Sequence, residues 1–206
     1  MKYREILIEQ LKSLPYFNKS AIYQLSKQYG LKNTTVDSYI GRSLKSKDII
    51  QFKKGLYTTT HFYENNRADI SYKFYLANVL RTPSYVSSWA ALQYYELTTE
   101  AIQTITSVTP KVTRDYQTRA GNFGYNSIKK ELFSGFSLVK GTFDFFIASP
   151  SKALFDLLYF KTRQFRGIKS EMVDGLISDL RIDIEEMEKK EQTLFYEMIK
   201  KYLNHE

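Results

Sequence analysis

Apolar residues recur at helical spacing from the start of the chain. Tyr3, Leu7, Leu11 and Leu14 line one face of a first amphipathic helix. Pro15 closes it, because proline disfavours helix in the residue before it. Asn18 or Ser20 is placed to cap a second helix carrying Ile22, Leu25 and Tyr29. Gly30 supplies its left-handed ending, with Leu31 packing just past the turn. Thr34 or Thr35 then caps a third helix that turns Val36, Tyr39, Ile40, Ser43 and Leu44 inward. After Asp48 the period changes. Ile49-Ile50-Gln51-Phe52 is a β-prone run, Lys53-Lys54-Gly55 a tight basic turn, and Leu56-Tyr57-Thr58-Thr59 the returning strand.

Three short helices and a basic hairpin are the parts of a winged helix-turn-helix, assigned to residues 1–60. Residues 61–69 are polar and aperiodic and read as a linker. A second domain covers 70–206. Its helices are expected at 70–80, 87–95, 150–160, 170–180 and 183–203, and its strands at 102–109, 122–128, 136–140 and 143–148. The fold class is therefore α+β, an N-terminal winged helix-turn-helix plus a mixed α/β C-terminal domain.

Charge sharpens the division. Residues 1–60 hold eleven Lys and Arg against four acids, a net of +7, leaving +1 of the chain's +8 for everything after. A polyanion partner for the first domain is the plain reading. The 17 Tyr and 14 Phe promise a core rich in rings. The absence of cysteine excludes disulfides, thiolate metal sites and cysteine nucleophiles. No stretch reaches the roughly 18 apolar residues of a membrane span, and Met1-Lys2-Tyr3-Arg4 opens no apolar leader. A cytoplasmic protein with no membrane partner is expected by elimination.

In a helix-turn-helix the third helix enters the major groove and its first residues meet base edges. The outward face here is Asn33, Thr34, Thr35, Asp37, Ser38, Arg42 and Lys45. Arg reads guanine and Asn adenine, while hydroxyls and helix-end amides hold phosphate. Lys53 and Lys54 at the wing tip reach phosphates or the minor groove. The expected partner is double-stranded promoter DNA, although winged helices also bind protein or RNA. A second candidate surface lies in 111–130, where Lys111, Arg114, Arg119, Lys129 and Lys130 interleave with Tyr116, Phe123 and Tyr125. Such alternation tracks phosphate and stacks bases; a solvated hairpin with its rings turned inward is the favoured alternative.

Catalytic signals are sparse. The histidines are His61, in the linker, and His205, at an end expected to be disordered. No phosphate-cradling glycine loop appears. Gly135-Phe136-Ser137 lacks the paired acids of a nucleotidyltransferase, and Asp183-Ile184-Glu185 falls at a helix start. Glu188-Lys189-Lys190 has the letters of an acid–Lys nuclease but on a helix of solvated charge. No catalytic residue, metal or cofactor is expected.

Four segments of the second domain carry a resemblance. Pro83-Ser84-Tyr85-Val86-Ser87-Ser88-Trp89-Ala90-Ala91-Leu92 followed by Tyr95 is similar to a segment of the AbiEi-family antitoxins. Ile105–Pro110 resembles the strand after it. Phe123-Gly124-Tyr125 with Glu131–Phe136 resembles the next stretch, and Ile147–Tyr159 a fourth. They run in the family's order across about 80–160. Ser151 departs from the family's usual Glu, which removes an acid from a helix start. The resemblance implies a promoter-repressing antitoxin of a type IV toxin–antitoxin pair, associated with abortive phage infection. Its toxin would be nucleotidyltransferase-like, with direct contact left open. A regulator whose second domain binds another ligand or partner is the first alternative, and a nuclease the second. Read physically, Ser149-Pro150 is a cap with proline at the first helical position. Asp156 is expected as a satisfied buried partner and Trp89 as core.

Overall fold

Helix α1 (Tyr3–Leu11) buries Leu7 and Leu11, and β1 (Phe17–Asn18) follows after Pro15. The computed structural model describes residues 3–203, so Met1, Lys2 and His205 lie outside it. Asn18 caps α2 (Lys19–Lys27), its side chain accepting from the Ala21 amide at 2.8 Å. Gly30 adopts φ +64, and the paired bonds Gly30 N–H to Lys27 O and Leu31 N–H to Ser26 O end the helix as a Schellman motif. Helix α3 (Asn33–Lys45) begins two or three residues earlier than expected. Lys32 is its N-cap, without a side-chain bond, and Thr34 and Thr35 sit inside the first turn.

Strands β2 (Ile49–Lys53) and β3 (Leu56–Thr59) form an antiparallel hairpin, with a register shift between Gln51 and Lys53. Gly55 takes φ +81 in the turn, which a side chain would disfavour. β1 pairs with the other side of β3, giving the order β1-β3-β2. Leu11, Phe17, Ile22, Val36, Ile40, Ile49 and Tyr57 make the core beneath it.

The expected linker at 61–69 is largely helical. Helix α4 (Thr60–Asn66) is capped by Thr59, whose hydroxyl accepts from Phe62 N–H at 3.2 Å. Tyr63 is buried against Phe52 and donates its hydroxyl to Arg119 O at 2.8 Å. Helix α5 (Ile70–Leu80) follows, and the Tyr72 hydroxyl donates to Pro15 O at 2.8 Å. The chain divides into two units. The first runs through Tyr72 and includes Gln117–Ala120; the second takes Lys73–Tyr116 and Gly121 onward. Residues 61–69, expected as a linker, thus belong to the first unit, and the second begins at Lys73 rather than at 70, because anchored aromatic side chains hold 61–72 to the helices and hairpin before them.

The second unit is a mixed sheet with helices. After α5 come β4 (Tyr85–Val86), α6 (Ser88–Tyr94), β5 (Thr104–Thr109), β6 (Arg114–Thr118) and β7 (Gly121–Ser127). β8 (Phe136–Val139) and β9 (Phe145–Ala148) precede α7 (Pro150–Lys161), α8 (Val173–Asp179) and α9 (Lys189–Leu203). The strand order is β6-β7-β5-β4-β9-β8. β5 runs parallel to β7 and β4 to β9, while β4–β5 and β8–β9 are antiparallel. Residues Ser151–Tyr159 of α7 are buried without interruption, so this helix is covered on all sides. It packs against α6 and α9. The architecture is mixed α and β in one chain, and no helix among the described residues is long and apolar enough to cross a membrane.

Candidate nucleic-acid interface

The inward stripe of α3 fixes what faces out. With Val36, Ile40 and Ser43 buried, Asn33, Thr34, Asp37, Ser38, Arg42 and Lys45 are exposed and Thr35 is half-buried. Asn33 and Thr34 begin the helix, where amides lack intrahelical acceptors and favour an anion. Arg42 and Lys45 occupy the last turn, where the helix dipole favours cations. Neither makes an ion pair among the described residues. Ser38 donates its hydroxyl to Thr34 O at 3.1 Å.

Asp37 is placed differently from its neighbours. Its Oδ1 accepts from Lys19 Nζ at 2.8 Å and from the Tyr23 hydroxyl at 2.6 Å. Those donors hold its carboxyl below the usual range, Lys19 foremost, and the Lys19 ammonium is pushed up by the same bonds. Asp37 therefore ties α2 to α3 and orients the helix rather than leaving its charge facing outward unpaired. Lys19 and Tyr23 are the residues that the sequence reading missed. A single acid within an otherwise neutral and basic face was the available signal.

At the hairpin, Lys54 is exposed and unpaired among the described residues, whereas Lys53 is half-buried where the register shifts. Arg4 pairs with Asp48 at 3.6 Å and Ser46 donates to Asp48, so the acid before β2 is occupied at the foot of the hairpin.

The five cations of the second candidate surface are not one array. Arg119 belongs to the first unit, 3.5 Å from Glu64 there. Lys111 donates to Thr82 O, and the Arg114 guanidinium lies 5.3 Å from the Tyr116 ring centre. Lys129 precedes, and Lys130 begins, the 3-10 turn Lys130–Leu132. Phe123 and Tyr125 are buried, and the Tyr125 hydroxyl donates to Ala77 O at 2.6 Å. These two rings face inward, whereas Tyr116 is half-buried with the Arg114 guanidinium over it.

In the second unit the segments around Tyr85 and around Asp156 meet. Asp156 is fully enclosed; Lys152 Nζ donates to it at 2.6 Å, the Ser87 hydroxyl at 2.7 Å and the Tyr85 hydroxyl at 3.0 Å. Burial pushes its pKa up, and the three donors oppose that rise. It is a satisfied buried group, as its place in the sequence suggests. Trp89, expected in the core, is half-buried, with Lys161 Nζ 5.9 Å from its ring. Glu188, Lys189 and Lys190 are exposed, and His61 contacts Asn65 at 3.1 Å. Among the described residues no group of three or more His, Asp or Glu side chains is arranged to hold a metal ion. No family model matches the chain, and no curated protein matches it.

Proposed function

We propose that the first unit is a winged helix-turn-helix that binds promoter DNA, and that the chain is a repressor and antitoxin of the AbiEi type. The observation that carries the DNA reading is the set of cations on two adjacent elements that pair with no acid among the described residues. Arg42 and Lys45 stand on α3 and Lys54 on the hairpin, in the charged portion of a chain whose remaining residues are nearly neutral. Phosphate is the abundant polyanion that such a display suits. The α3 face would enter the major groove, with Asn33, Thr34 and Ser38 near base edges. The antitoxin reading rests on the four resembling segments. The meeting of two of them at Asp156 supports it, since it gives Tyr85 and Ser87 in the first and Lys152 and Asp156 in the last one structural reason to occur together. A regulator answering to a small ligand is the second reading, favoured by a cavity beside α7 and α9.

The test has two parts. Arg42→Ala and Asn33→Ala are compared on a panel of single-base variants of the DNA upstream of the coding sequence. Loss of a base contact costs about 1–3 kcal/mol and relaxes preference at one position; uniform loss on every variant assigns these side chains to phosphate instead. Co-expression with a nucleotidyltransferase-like protein encoded beside the chain should restore growth. Continued toxicity despite a folded, DNA-binding protein sinks the antitoxin half.

A further inference from the structure

Helices α7 and α9 and the segment before β8 enclose a cavity of about 420 Å³ in the second unit. That size falls within the range of small-molecule sites. Its apolar wall is Leu132, Phe155, Met198 and Tyr202, with the Phe155 and Tyr202 rings 5.9 Å apart at 72°. Phe165 backs both rings at 5.4 and 5.5 Å, so the wall is fixed from behind. The opposite wall is fixed too. Gly135 takes φ +73, a Cβ there would lie 3.0 Å from Lys152 Cγ, and its carbonyl accepts from Ser149 N–H at 2.9 Å.

The polar groups are unequal. Lys152 is spent on Asp156. Lys129 and Lys201 line the cavity, are exposed, and pair with no acid among the described residues. Glu131 is the acid of the lining. Phe155 is buried with the Lys152 ammonium 4.9 Å from its ring centre, so the half-buried Tyr202 is the ring an occupant can meet. An occupant thus needs a flat apolar body for that ring, an anionic group for two lysines, and a donor edge for one carboxylate. Lysine acts toward phosphate as a hydrated point charge, and a purine carries both the π-face and the amino edge.

We propose that this cavity binds a purine mononucleotide, its base against Tyr202 and Met198 and its phosphate at Lys129 and Lys201. The site lies wholly in the second unit and does not depend on the first unit binding DNA.

Isothermal titration of the full-length protein with AMP and GMP tests it, with adenosine and inorganic phosphate as separate arms. One nucleotide should bind saturably at one site per chain, at least tenfold more tightly than adenosine or phosphate. K129E/K201E should weaken it at least tenfold, and Met198→Trp, which fills the cavity, should abolish it with the circular dichroism unchanged. K53A/K54A should leave it intact, separating this site from any nucleic-acid surface. Should Met198→Trp misfold, Met198→Gln keeps the length of the side chain and should still weaken binding by making the wall polar. Absence of saturable binding at millimolar nucleotide overturns the proposal. So does binding insensitive to the cavity substitutions, or adenosine binding as tightly as AMP.

Discussion

Asp156 receives an ammonium and two hydroxyls in a site closed to water. Breaking such a pair from one side strands the other charge, whereas replacing both with apolar groups is often nearly neutral. Asp156→Ala should therefore cost about 3–5 kcal/mol in urea unfolding, and the double change Lys152→Met/Asp156→Leu should recover most of that. Equal losses in the single and double variants would show that the pair is not coupled. Glu191 behaves differently. Burial raises its pKa, but the Ser151 hydroxyl at 2.6 Å and amide at 3.0 Å donate to it and leave it lowered on balance. A lowered carboxylate binds protons more weakly folded than unfolded. Its contribution is complete above the ordinary value of 4.5 and is lost as pH falls through the folded value. The melting temperature should fall on acidification below about pH 4.5, and Glu191→Gln should reduce that slope. An unchanged slope would remove Glu191 from the acid response. Such pairs were only partly legible in sequence. Asp156 could be placed as a buried partner from its apolar neighbours, but its donors are about 70 residues away in the chain for Tyr85 and Ser87. Asp37 is exposed as its spacing suggests, but its partner was not legible, because spacing locates a face and not the lysine on the preceding helix.

Helices with strong local signals were the most readable elements. Asn18, Gly30 and Ser149 each perform the capping role that their residue type suggests. Gly30 has nothing within 4 Å of a Cβ position, so Gly30→Ala meets only the left-handed backbone penalty. That substitution and Asn18→Ala should each cost about 1 kcal/mol. Chemical denaturation followed at the first unit's tyrosines measures both, and no loss on Gly30→Ala would mean that the turn reshapes. Elements without such signals were missed. α4 has no apolar period, because single anchors, Tyr63 and the Thr59 cap, hold it. β6 is an edge strand of exposed charged and polar residues, so burial leaves no alternation to read. β4 is two residues long. Ser151, a short hydroxyl in the first turn of α7, receives its acid from another element. Glu191 from α9 brings a carboxylate to the start of α7, where the helix dipole favours one.

Across the whole chain, charge and shape divide at different places. The excess of positive charge ends near residue 60, while the first compact unit continues through Tyr72 and takes in Gln117–Ala120. Composition reports which residues meet water and partners. It does not report a hydroxyl reaching back to Pro15 O, and the boundary depends on that kind of contact. The central claim concerns the charged part, and salt tests it most directly. Each lysine that neutralises a phosphate releases a counterion and adds about 0.9 to the slope of log Kobs against log salt. Affinity of the full-length protein for its upstream DNA should fall steeply with salt. K53A/K54A should weaken binding to every sequence and flatten the slope by up to about two units. A shallow slope in the parent protein, or an unchanged slope in the variant, would contradict a basic hairpin resting on the DNA backbone.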